Sequence, residues 1–125
     1  VLEMTKILLC IFLNGVLVNS GTHLTKTDAQ KYFCEYIEEH IEDCSELDYL
    51  YTAGKDEDTF DIKGLVVYED KEFVCYVCSM IESACPYTIL RIDEGWGLYS
   101  RADRKLYGYT TNITIREQWE RNTLR

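Results

Sequence analysis

Five cysteines, Cys34, Cys44, Cys75, Cys78 and Cys85, together with His40, are the residues of this chain whose types and spacing could do chemistry. His40 and Cys44 stand four apart, so on a helix they share one face, and Cys75-x2-Cys78 adds two sulfurs downstream. His40, Cys44, Cys75 and Cys78 therefore have the ligand types of a structural zinc site. The same Cys75-x2-Cys78 pair could be redox-active, with Ser79-Met80-Ile81-Glu82 as the start of a helix behind it. Disulfide formation competes with both, because export would oxidise the same sulfurs.

Export is the expectation set by the N-terminus. Met4 is the first plausible initiator, Lys6 lies in a short polar head, and an apolar run covers residues 7–18. Small residues around Val18-Asn19-Ser20 then suit a cleavage site. That run is shorter than the roughly 20 apolar residues a membrane-spanning helix needs, and Asn14-Gly15 interrupts it. Residues 1–20 thus read as a signal peptide, and 21–125 as a single small secreted domain with no membrane span. Cys10 would leave with the signal, so five cysteines would remain and one would be unpaired or joined to a second chain.

Geometry narrows the pairing. Ten residues of continuous helix would hold Cys34 and Cys44 about 15 Å apart, beyond the ~7 Å between α-carbons that a disulfide allows. Cys75 and Cys78, three apart on a strand, point to opposite faces. The expected bridges run from Cys34 or Cys44 to Cys75, and from Cys78 to Cys85. The first would contribute roughly 3–4 kcal/mol by closing a long loop.

Several elements must position these residues. Thr27-Asp28-Ala29-Gln30 has the capping-box pattern. Ala29, Phe33, Tyr36, Ile37, His40, Ile41 and Cys44 then repeat at helical spacing, which predicts an amphipathic helix over 28–43. Strands are expected at 48–52, 64–68, 73–78, 87–92, 96–99 and 106–115, with the clearest hairpin across Glu69-Asp70-Lys71-Glu72. Residues 116–121 would form one helical turn. The expected fold class is α+β: one N-terminal amphipathic helix packed on an antiparallel β-meander, disulfide-linked.

Composition bounds the function. The chain carries a formal charge of −9, and between residues 21 and 99 there are 18 acidic against 6 basic side chains. Such a body repels phosphate backbones, so nucleic acid is not an expected partner. It favours encounter with a protein bearing a basic patch. Ten tyrosines lie beyond residue 20, and Tyr49, Tyr51 and Tyr68 have acidic neighbours. Large amphipathic rings suit a binding surface, and acid-flanked tyrosines of an exported chain are candidates for sulfation. Asn112-Ile113-Thr114 is a glycosylation sequon.

Catalysis is not expected. His23 and His40 are the two histidines, and no nucleophile elbow, HExxH helix or phosphate-binding glycine loop occurs. Asp56, Asp58 and Asp61 lack the glycine and terminal glutamate of a calcium loop, and no cofactor is implied. The reading is a secreted, disulfide-containing binding protein of the toxin or effector type known from venom and saliva. It would occupy a receptor, channel or soluble host protein. An extracellular small-ligand carrier, with its ligand held between helix and sheet, is the alternative, and a secreted inhibitor comes third.

Overall fold

A computed structural model describes residues 5–54, 60–81 and 86–123. The apolar run near the N-terminus forms strand β1 (Thr5–Leu13), which turns at Asn14-Gly15 into β2 (Val16–His23). Both turn residues have positive φ, 49° and 81°, as a two-residue type I′ hairpin requires. Asn14 also fixes the turn to a neighbouring strand: its N–H donates to the Glu72 carbonyl at 2.9 Å, and its Oδ1 accepts from the Glu72 N–H at 2.8 Å.

Helix α1 (Lys26–His40) follows, then β3 (Leu50–Ala53), β4 (Ile62–Tyr68) and β5 (Lys71–Ile81). These five strands form one antiparallel sheet in the order β2-β1-β5-β4-β3. A second antiparallel sheet contains β6 (Tyr87–Ile92), β7 (Gly95–Ser100) and β8 (Lys105–Thr110), and α2 (Ile113–Thr123) closes the described chain.

Alternation along β1 explains the layering. Ile7, Leu9 and Ile11 face α1 and pack with Ala29, Phe33, Ile37, Phe73 and Val77. Leu8, Cys10 and Phe12 face the second sheet and pack with Tyr76, Ile92, Tyr99 and Leu106. A strand covered on both faces has apolar residues at every position, so it resembles the core of an export signal in composition. Five buried side chains of β1 (Ile7, Leu8, Leu9, Ile11, Phe12) each contribute roughly 1.5–3 kcal/mol. Their sum is comparable with the roughly 5–15 kcal/mol net stability of a whole domain. Cleavage after Ser20 would remove β1 and most of β2.

α2 lies on the outer face of the second sheet. The Arg116 guanidinium sits 5.5 Å from the Trp96 ring centre, and Arg91 sits 4.6 Å from the same ring. Bare Gly108 lies under Trp119. The order of layers is therefore helix, five-stranded sheet, three-stranded sheet, helix.

This corrects the expected fold class. One helix on one disulfide-linked meander is replaced by a mostly β architecture of two packed antiparallel sheets, because the N-terminal hairpin joins the larger sheet, with β1 between β2 and the middle strand β5. The disulfide link is corrected as well: Cys10, Cys34, Cys44, Cys75 and Cys78 are all free thiols. Cys85 lies outside the described residues, and with it the expected Cys78–Cys85 bridge.

Local expectations differ in smaller ways. α1 starts two residues early, with Thr25 as N-cap accepting from the Asp28 N–H at 3.1 Å. It stops at His40 because Ile41 is extended (φ −127°, ψ 126°), which lets Ile41, Cys44, Leu47 and Tyr49 pack back onto the core. The last strand ends at Thr110. Asn112 then caps α2 through its Oδ1, which accepts from the Thr114 and Ile115 N–H groups at 2.8 and 3.4 Å.

Candidate functional site

The described residue with the most unusual setting is Tyr51. It stands on β3, the last strand of the five-stranded sheet, directly opposite Gly64 on β4. A methyl group at Gly64 would lie 2.6 Å from the Cys75 sulfur and 2.9 Å from the Tyr51 ring. Only a bare backbone there lets the ring lie flat over the strand. The Tyr51 hydroxyl reaches Cys34 Sγ on α1 at 3.8 Å. Burial and the Cys34 contact raise the phenol well above its ordinary range, so Tyr51 stays neutral at physiological pH. It nevertheless remains 39% exposed.

The stretch of chain that leads into Tyr51 carries charge of one sign. Glu35, Glu38, Glu39, Glu42, Asp43, Glu46 and Asp48 are all exposed, and no Lys or Arg interrupts them between residues 32 and 54. They occupy the outer side of α1 and the segment leading to β3. Burial raises Tyr49 and Cys44 above their ordinary values, and Glu38 adds to both shifts. Asp43 is held below the ordinary carboxylate range by the Ser45 hydroxyl and N–H.

The opposite face of the same edge is apolar. Leu50 pairs with Leu65, and Val67 follows two residues along on the same face. Leu65 is partly covered by the core between the sheets, but Leu50 is 59% and Val67 57% exposed. The larger sheet thus overhangs the smaller one at β3 and β4.

The residues singled out from sequence are dispersed. Of the three tyrosines, Tyr51 is exposed, whereas Tyr49 and Tyr68 are half-buried and pack against the core under α1, Tyr49 edge-on to Phe33 at 6.3 Å. Cys75 faces α1 and Cys78 faces the second sheet, as their spacing requires, and burial pushes each thiol up to about 12. Cys44 donates to the Ile41 carbonyl at 3.4 Å. His40 stacks on Tyr36 and donates through Nδ1 to the Tyr36 carbonyl at 2.8 Å. Among the described residues no group of three or more His, Cys, Asp or Glu is placed to hold a metal. Asp61 accepts from the Ser79 N–H and hydroxyl and pairs with Lys26 at 3.8 Å; Asp56 and Asp58 lie outside the described residues. Asn112 is exposed.

No protein family, curated protein or solved structure matches the chain. Among the described residues no helix is long and apolar enough to cross a membrane.

Sequence reading missed Gly64, Leu50 and Val67. Gly64 had a signal: a glycine inside a strand marks a close approach by another group. The exposure of Leu50 and Val67 had none, because it depends on how far the second sheet extends.

Proposed function

We propose that this domain is a protein-binding module that captures a basic partner on the acidic side formed by α1 and residues 41–54. One observation carries the reading: seven exposed acids with no intervening Lys or Arg lie on α1 and on the segment that leads into a half-exposed tyrosine on an edge strand. A one-signed surface steers an oppositely charged protein toward it, and an aromatic ring gives the contact area that charge alone lacks. The carrier alternative gains no comparable support, since Ala29, Phe33 and Ile37 fill the space between helix and sheet with fully buried side chains. In this reading residues 5–23 stay with the domain as the β1–β2 hairpin of its larger sheet, and the cysteines work as reduced thiols.

The test is binding of a fluorescent octa-arginine probe to three proteins. The unaltered chain should bind with an affinity that falls as salt rises. Glu35→Gln/Glu38→Gln/Glu42→Gln should weaken binding by roughly tenfold, or about 1.4 kcal/mol. Glu69→Gln/Asp70→Gln/Glu72→Gln, an equal charge change at the β4–β5 turn, should weaken it less than about twofold. Equal losses in the two triple variants would show general acidity at work and sink the proposal.

A further inference from the structure

We infer that the partner docks as an extended segment that adds a sixth strand to the five-stranded sheet at β3. This rests on the acidic-side reading above and names the form the partner takes. An edge strand presents a row of backbone N–H and C=O groups able to pair with another chain. The other edges are engaged. β2 adjoins the second sheet, where the Leu106 N–H donates to Ser20 Oγ at 3.5 Å. At β6 the Tyr87 carbonyl accepts from the Arg101 guanidinium at 3.1 Å.

β3 carries none of the usual guards. Leu50-Tyr51-Thr52-Ala53 has no proline, lysine or inward charge, and its pairing with β4 runs without a bulge. All four residues are exposed.

Alternation fixes the chemistry of the occupant. Side chains of an added strand point by turns to its two faces. One set would share the face of Tyr51 and α1; the other would lie beside Leu50 on the opposite face. The matching segment alternates basic and apolar residues over about four to six positions. A second copy of this chain fits poorly, because pairing β3 with β3 brings two acidic sides together.

The experiment uses the full chain and the fluorescent hexapeptide Lys-Val-Lys-Val-Lys-Val. Two further versions are N-methylated, one on the Lys and one on the Val positions, so that each blocks one edge of the peptide. The parent should bind, one methylated version should bind at least tenfold more weakly, and the other should match the parent. Amide exchange in Leu50–Ala53 should slow on binding. Equal binding of all three peptides, still weakened by salt, overturns strand addition while leaving the acidic-side reading intact. No binding of any of them overturns both. A dimer of the free chain that Leu50→Lys abolishes would give the edge to a second copy and overturn the choice of occupant.

Discussion

The Tyr51 hydroxyl lies 3.8 Å from the Cys34 sulfur, and this contact joins edge strand β3 to helix α1 without a covalent bridge. The Cys75 sulfur lies beneath the same ring, over Gly64. Expected as bridging partners, Cys34 and Cys75 instead share one aromatic neighbour, and that neighbour stands at the centre of the proposed binding edge.

Gly64→Ala should destabilise the domain by about 1–3 kcal/mol, the usual cost of overpacking. The added methyl would press on both Cys75 and Tyr51. Urea unfolding measures the loss. Tyr51→Ala placed on top of Gly64→Ala should recover part of it, since neighbours in contact couple; full additivity would place the strain elsewhere.

Thiol labelling should divide the cysteines in two. Cys34 and Cys44 are half-buried, while Cys10, Cys75 and Cys78 are buried, and burial raises the last three well above the ordinary thiol value. The thiolate is the reactive form. Iodoacetamide at neutral pH should therefore label Cys34 and Cys44 in the native protein and reach Cys10, Cys75 and Cys78 only on unfolding. Peptide mass mapping reads the order.

Stability should fall at both ends of the pH range. Burial lowers His23 below its ordinary 6.5, so the unfolded chain takes up that proton more readily. The His23 contribution is complete above about pH 6.5 and is lost as pH falls through the lowered value. Cys75 and Cys78 move the other way, from 9.0 to about 12. Their contribution is complete below about pH 9 and is lost between there and about pH 12. Thermal melts across this range should show both declines, and His23→Gln should flatten the acidic one alone.

Asn112→Ala removes an N-cap and a sequon together and should cost about 1 kcal/mol, felt chiefly in α2. Thr114→Ala removes the sequon but leaves the Asn112 Oδ1 cap available. Hydrogen exchange in Ile113–Thr123 should quicken in the first variant and stay near the parent rate in the second.

Much of the local structure was legible and the assembly was not. Phe33, Ile37 and Ile41 repeat at helical spacing, so α1 was visible to within a few residues, and β6 appears at 87–92 as expected. Asn14-Gly15 is a strong hairpin signal, yet it lay inside an apolar run whose composition also fits a signal peptide. A strand buried on both faces and an export signal share that composition, so the run alone does not separate them. Of the expected bridges, the one from Cys34 or Cys44 to Cys75 is absent because all three sulfurs are free thiols; the one from Cys78 to Cys85 lies outside the described residues. Only residues 116–121 of α2 were expected as helix, because Ile113-Thr114-Ile115 is β-branched and reads as strand; Asn112 just before it was the unused cap signal. The edge at β3 was half visible: its tyrosine and acids were read, its apolar overhang was not.

The most direct test of the account is the intact mass and N-terminal peptide map of the chain expressed in secretion-competent eukaryotic cells, alkylated under denaturing conditions without reductant. The account predicts a product that retains residues 5–20 and carries label on Cys10, Cys34, Cys44, Cys75 and Cys78. A product beginning at Gly21, with the remaining sulfurs blocked from alkylation until reduced, would lack β1 and most of β2 and contradict the fold, the reduced cysteines and the edge built on them.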